Sequence, residues 1–276
     1  MSVMISLLAL ATLPTQPQMK QYVINLDAAP ENRWDAVVAD HRKELRLLIA
    51  LVDGLLEGLA PQAAKELVDA VVLPDEMQRE MRGIAKAGGV SYRQILTANM
   101  FYEISEVSGV LHSVSKSCTS IVAQHVNGSV MLARNQDYPP PFRALLFQAA
   151  FQRHNVTQYV GTTYAGTIGL STGMSLATSP HSRPWAFSIN ARHAHGAKAD
   201  LLRVAVAAAK AGGQIFPVMP RLVLEQAADN SVSRVPLSKK GGPPLLITPQ
   251  PLRTHIRRLV PLRPSRPLRT RARVTL

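Results

Sequence analysis

Acidic residues run out before the chain does. The last one in the 276-residue sequence is Asp229, and from Arg234 onward eleven Lys or Arg stand without a single Asp or Glu. Nearly all of the formal +13 charge therefore sits at the C-terminal end, and the body is close to neutral. A charge confined in this way argues against a basic nucleic-acid-binding or membrane-binding body, and a run of this type is usually a solvated segment. Cysteine is represented once, by Cys118, which excludes an intrachain disulfide but leaves the compartment open. The apolar run at residues 4–13 is too short to span a bilayer. It has the length of a signal h-region but lacks a basic flank and a small-x-small cleavage site, so residues 1–19 read either as a weak signal segment or as an ordinary N-terminal helix. His193-x-His195 has no third ligand nearby, and Gly212-Gly213 is not followed by Lys-Ser/Thr. Neither makes a metal or phosphate site, and no metal or cofactor is expected.

What is present is enough to bury a substantial core: 46% of the residues are hydrophobic. Residues 30–105 carry helical spacing, with Trp34, Val37, Val38, His41, Leu45, Leu48 and Ile49 continuing into Val52, Leu55 and Leu59. Shorter helices follow at 63–72 and 75–87, and Ser91 caps another running to about residue 106. Small residues at 108–117 read as a flexible connector. The pattern then changes to strands at 118–125, 130–135, 144–152, 158–164, 167–171 and 185–190, followed by helices at 200–210 and 218–228. From residue 231 eight prolines and repeated Arg carry no amphipathic period, so residues 231–276 are expected to be disordered.

Cys118 opens the alternating, β-branched run Cys118-Thr119-Ser120-Ile121-Val122-Ala123-Gln124. Asn127-Gly128 is a hairpin signal, and residues 130–135 read as the returning strand. Such a hairpin carries Arg134 and Asp137 back beside the cysteine. A thiol, a guanidinium that favours its thiolate and a carboxylate make a nucleophile site. A lone cysteine is equally at home as a small buried hydrophobe, and Arg and Asp after a strand as a surface pair. From the residues alone both readings stay open.

The run Cys118-Thr119-Ser120-Ile121-Val122-Ala123-Gln124, followed by Ala133-Arg134-Asn135-Gln136-Asp137-Tyr138-Pro139, resembles the start of the β-subunit in the N-acylethanolamine acid amidase and acid ceramidase family, N-terminal-nucleophile hydrolases of the cholylglycine hydrolase type. Tyr22-Val23-Ile24-Asn25-Leu26-Asp27 and Pro30-Glu31-Asn32-Arg33-Trp34 resemble the start of that family's α-subunit. Asn99-Met100-Phe101-Tyr102-Glu103 and Gly169-Leu170-Ser171-Thr172-Gly173 agree as well, so the likeness runs over roughly residues 20–230.

The resemblance implies an α+β fold, an incomplete αββα sandwich with a helical α-subunit at 20–117, a β-subunit core at 118–230 and a basic tail. It implies self-cleavage between Ser117 and Cys118 to an α/β heterodimer, with Cys118, Arg134 and Asp137 catalytic and Tyr138 and Asn190 beside the substrate. The implied activity is hydrolysis of N-acylethanolamines in the lysosome. Ceramide hydrolysis is the first alternative; a truncated, catalytically impaired isoform or a non-catalytic binding protein is the second. The implied partner is a lipid amide, with transient membrane contact through the α-subunit and no nucleic acid. Asn127 and Asn155 begin glycosylation sequons that fit a secretory route. Two positions depart from the family. Ala191 stands where the ceramidase pattern Asn-Glu-Arg has glutamate, and the basic tail stands where a later asparagine supplies an oxyanion donor.

Overall fold

The computed structural model describes residues 19–57, 61–108, 118–138, 140–176, 184–190, 198–210, 212–228 and 273–275. Strand β1 (Gln21–Asn25) lies parallel to β4 (Leu146–Arg153), with Gln21 opposite Gln148 and Asn25 opposite Gln152. Strands β5 (Val156–Tyr164), β6 (Thr172–Ser175) and β7 (Ala186–Ser188) add on antiparallel, giving a mixed sheet in the order β1-β4-β5-β6-β7. The hairpin of β2 (Cys118–Gln124) and β3 (Val130–Gln136) belongs to a second sheet, ordered β3-β2-β8, with β8 at Arg273–Thr275. The expected α+β class is the one adopted. Two sheets, with helices before residue 109 and again over residues 198–228, are consistent with an αββα sandwich.

Helical periodicity in the first third resolves into separate pieces: α1 (Asp35–Asp40), α2 (Arg42–Glu57), α3 (Pro61–Asp69), α4 (Asp75–Gly88), α5 (Tyr92–Asn99) and α6 (Phe101–Ser108). Helix α2 buries Leu45, Leu48, Ile49, Val52 and Leu55, the stripe that 3.6-residue spacing puts on one face. In α4, Asp75 and Glu76 sit in the first turn, where the exposed N–H groups favour acid, and Gly89 (φ +67°) stops the helix in the left-handed conformation. Ser91 and Gln94 form a reciprocal capping box on α5. The helix expected to continue to residue 106 breaks at Met100, immediately after Asn99 directs its amide to the Ile95 carbonyl and to a neighbouring loop. Helices α7 (Lys198–Lys210) and α8 (Val218–Ala228) follow the strands.

Three local expectations are corrected. Residues 167–171 form a loop, and the strand begins at Thr172. A Cβ on Gly169 would lie 2.1 Å from the Pro217 carbonyl oxygen, and Leu170 N–H donates to that same oxygen at 2.7 Å, so this backbone is occupied by the approach to α8. The two-residue hairpin falls at His154-Asn155 (φ 51° and 60°), between β4 and β5. The turn at Asn127 is longer: Gly128 (φ +90°) donates to the His125 carbonyl, and His125 donates to Ser129. Of the tail expected to be disordered, residues 231–272 and 276 lie outside the described residues, whereas Arg273–Thr275 pair antiparallel with β2, Ser120 opposite Thr275 and Val122 opposite Arg273. An edge strand presents a row of unpaired N–H and C=O groups, and an extended segment satisfies them whatever its composition.

Only 5% of the residues are aromatic, yet they concentrate in two clusters. Trp34, Phe147, Phe151 and Tyr159 pack edge-on or stacked between the helices and the five-stranded sheet, with Tyr22 and His41 at one end. Through this cluster runs a buried ionic network that hydropathy gave no hint of. Arg221, on α8, is fully buried and donates from Nη1 and Nη2 to both Glu80 oxygens on α4 (2.5 and 2.7 Å). Its guanidinium lies over the Phe151 and Trp34 rings at 4.9 and 5.8 Å from their centroids. Glu80 also accepts from Arg33 (2.8 Å) and from the Trp34 indole (2.7 Å). Burial works to raise the Glu80 pKa, and the Arg221 charge with these donors overcomes it and holds the carboxyl below its usual range.

Removing one member leaves the other charged and buried. Arg221→Met is expected to cost about 3–5 kcal/mol in urea unfolding, with the double variant Arg221→Met/Glu80→Leu recovering much of the loss. Equal losses in the single and double variants would show that the charge pairing is not what matters.

Candidate active site

The β2–β3 register puts Cys118 opposite Gln136 and Ser120 opposite Arg134. Side chains directly opposite in an antiparallel pair share a face, and so do residues two apart, so Cys118, Ser120, Arg134 and Gln136 form one patch. It faces the start of β6 and the end of β7. Cys118 is buried at 4% exposure, and Arg134 Nη2 donates to its sulfur at 3.4 Å. The other end of the guanidinium is fixed: Nη1 donates to the Ser171 carbonyl at 2.7 Å and to Thr172 Oγ1 at 3.0 Å. Arg134 Nε is buried with no acceptor among the described residues. The guanidinium is thus held on one side and aimed at the sulfur on the other.

Of the remaining expected residues, Asp137, Tyr138 and Asn190 border members of this patch. Asp137, just past β3, accepts from Asn135 Nδ2 at 2.6 Å and lines a cleft of about 480 Å³ together with Arg134, Tyr138, Arg143, Leu146 and Thr172. Arg134 is thus joined to the sulfur, and Asp137 stands on the adjoining wall. The Tyr138 ring stacks on Tyr164 (5.7 Å between centroids, 19° apart) and packs on Phe101 and Phe142. Burial pushes its phenol pKa up, and the nearby Cys118 adds to the shift. Asn190 is drawn in from beyond β7, its Oδ1 accepting from Ser120 Oγ at 2.9 Å, while Ser120 and Ser188 hydroxyls also meet. Asn127 and Asn155 are exposed, in the β2–β3 and β4–β5 turns respectively. Ser117, Ala191, His193 and His195 lie outside the described residues.

Several contributors went unnamed in the sequence. Gln136 accepts from Ser171 Oγ at 3.1 Å, and Ser171 and Thr172 anchor Arg134. Strand alternation could have marked Gln136, which lies two residues from Arg134; nothing in the sequence marks the Ser171 carbonyl as an acceptor for an arginine. Glu103, on α6, is a second omission. It is buried, its Oε1 accepts from Phe216 N–H at 2.6 Å, and its Oε2 has no partner among the described residues. Burial pushes its pKa up to about 7 against the favourable pull of that backbone donor.

Comparison with known proteins finds relatives of this chain. Residues 17–74 match the family model described as the beta subunit of N-acylethanolamine-hydrolyzing acid amidase. That description carries the opposite subunit label from the one the resemblance gave to this stretch. Mouse acid ceramidase is 28% identical over 191 residues, covering 61% of this chain and 46% of the relative. The N-acylethanolamine-hydrolyzing acid amidase of Caenorhabditis elegans is 30% identical over 187 residues (63% and 48%), and that of rat is 32% identical over 174 residues (60% and 44%). The chain spans about half the length of these curated relatives. A solved structure of the Caenorhabditis elegans amidase ortholog is 28% identical over 34% of this chain and 92% of its own, with a TM-score of 0.27.

Glu103 makes stability depend on pH with a definite sign. Its pKa rises from an ordinary value of 4.5 to about 7 on folding, so the folded state holds this proton more tightly than the unfolded chain. The contribution is complete below about pH 4.5, is lost progressively as pH rises through 7, and is flat above; it amounts to roughly 3 kcal/mol. Urea midpoints at pH 4.5 and pH 8 are expected to differ by that amount more in the wild-type chain than in Glu103→Gln. An identical pH dependence in the two chains would contradict the assignment.

Proposed function

We propose, from the family to which this chain belongs, that of N-acylethanolamine acid amidase and acid ceramidase, that it is an amide hydrolase using Cys118 as its nucleophile on a lipid amide. The observation that carries the proposal is the Arg134 guanidinium, anchored on Ser171 and Thr172 and donating to the Cys118 sulfur. N-acylethanolamines are the proposed substrates. Ceramides, a second class suggested by the names of the ceramidase relatives, differ in the amine and share the scissile bond.

The chemistry follows from the groups present. The chain breaks before Cys118 when the sulfur attacks the Ser117 carbonyl, the peptide nitrogen leaves as the new α-amine, and water hydrolyses the resulting thioester. The freed α-amine, with an ordinary pKa near 8, then accepts the thiol proton, so no histidine is needed. The thiolate adds to the substrate amide carbon; the negative charge that develops on oxygen is met by donors, and the buried, unpaired Arg134 Nε–H is one available to it. Collapse expels the protonated amine and leaves an acyl-thioester, which water converts to fatty acid and free thiol. Asp137 is proposed to hold the α-amine through a charge-assisted hydrogen bond, and Tyr138 and Asn190 to border the substrate. Passage through the secretory pathway to the lysosome, with sugars on Asn127 and Asn155, and transient contact of the helical segment with a membrane surface complete the proposal.

Incubation of the purified chain in mild acid is expected to yield two fragments and release of fatty acid from an N-acylethanolamine. Cys118→Ala should abolish both, and Arg134→Gln should lower the hydrolytic rate about a hundred- to a thousandfold. A Cys118→Ala chain that still hydrolyses the amide would exclude this nucleophile. A wild-type chain that is neither cut nor active would favour the non-catalytic alternative.

A further inference from the structure

The Arg134 guanidinium is anchored by consecutive residues, Ser171 and Thr172, at the exit of the 165–171 loop. What fixes that loop therefore fixes the cation against the sulfur. Asn99, 1% exposed at the end of α5, reaches into it with every polar atom of its side chain: Nδ2 donates to the Gly166 carbonyl at 2.9 Å and to Ile95 at 2.9 Å, and Oδ1 accepts from Ile168 N–H at 2.9 Å. One carboxamide thus pairs with a carbonyl and an N–H two residues apart, as a neighbouring strand would. The far side of the loop is held by Thr163 Oγ1 on the Gly169 carbonyl (2.6 Å), by Arg221 on the Ile168 carbonyl (2.9 Å) and by Leu170 N–H on Pro217 (2.7 Å).

We infer that Asn99 is a positioning residue for the nucleophile: it sets the loop that delivers the Ser171 carbonyl to Arg134, and so sets how strongly Arg134 stabilises the Cys118 thiolate. The inference rests on Arg134 acting on Cys118 as proposed above, and it is separable from turnover because the ionisation of Cys118 is measurable without substrate. An asparagine present only for folding would alter stability and leave the thiol unchanged. A misplacement of about an ångström in a group that must meet sulfur at hydrogen-bond distance is sufficient to weaken the coupling.

Because Cys118 is the sole cysteine, its thiolate absorbance at 240 nm can be followed against pH as a difference from Cys118→Ser in the same background. Asn99→Ala is expected to move the midpoint upward by about one pH unit, a tenfold smaller thiolate population below it. Thr163→Val, which removes a tether on the same loop, should move it in the same direction if Asn99→Ala does not fold. Leu96→Ala, a buried change on the same helix, should lower stability without moving it. In an Arg134→Gln background the Asn99→Ala effect should vanish, since its route to the sulfur is gone. An unchanged midpoint in folded Asn99→Ala and Thr163→Val chains, an equal shift in Leu96→Ala, or a shift that persists without Arg134 would each overturn the inference. Absence of hydrolysis in the wild-type chain would instead count against the proposed function and leave this titration readable.

Discussion

Two opposite charges without solvent, Glu80 on α4 and Arg221 on α8, are the constraint on which the rest is hung. Each is fully buried, so neither tolerates loss of the other, and the elements carrying them cannot separate without exposing both. The pair spans the two parts of the chain that a break before Cys118 would divide. Parallel pairing of β1 with β4 crosses the same division through backbone hydrogen bonds. Were the chain cut there, as proposed, these contacts would hold the two parts together. Arg221 also reaches forward: its Nη1 donates to the Ile168 carbonyl, inside the loop that ends at Ser171.

From there the path to the thiol is short. The loop presents Ser171 and Thr172, these hold one edge of Arg134, and the other edge faces Cys118. In the proposed chemistry a single guanidinium would do two things, face the attacking sulfur and leave a donor free for the charge that forms on substrate oxygen, and both call for rigidity. The second aromatic cluster, Phe101, Tyr138, Phe142 and Tyr164, packs beside the same patch and brings apolar surface up to the cleft, where a long acyl chain would have something to lie against. Aromatics are few in this chain, and among the described residues one group of them lies at the ionic core and another beside the site.

Much of this was legible from residue order. The alternation at 118–125, the Asn127-Gly128 signal and the returning run at 130–135 pointed to the hairpin, and the pleat of the antiparallel pair puts Arg134 on the cysteine's face. Helical stripes such as Leu45, Leu48, Val52 and Leu55 gave the helical segment, because their burial depends only on spacing. The misses have a common origin in contacts distant along the chain. Residues 167–171 looked like a strand because Ile168 and Leu170 are apolar, but Pro217 and Asn99 claim that backbone. Nothing local marks Arg221 or Glu80 as buried; the partner that permits burial lies 141 residues away along the chain. The short strand at Arg273–Thr275 carries no hydrophobic pattern; its pairing is with backbone, which composition does not encode.

The most direct test of the account is where an acyl group is held during turnover. The chain is incubated with an N-acylethanolamine at acid pH, quenched, digested and analysed by mass spectrometry. The account predicts one peptide heavier by the acyl mass, beginning at Cys118 with a free α-amine and modified on sulfur through a thioester that hydroxylamine removes. An acyl group trapped on any other residue, or product released while Cys118 carries no acyl group and remains joined to Ser117, would contradict it.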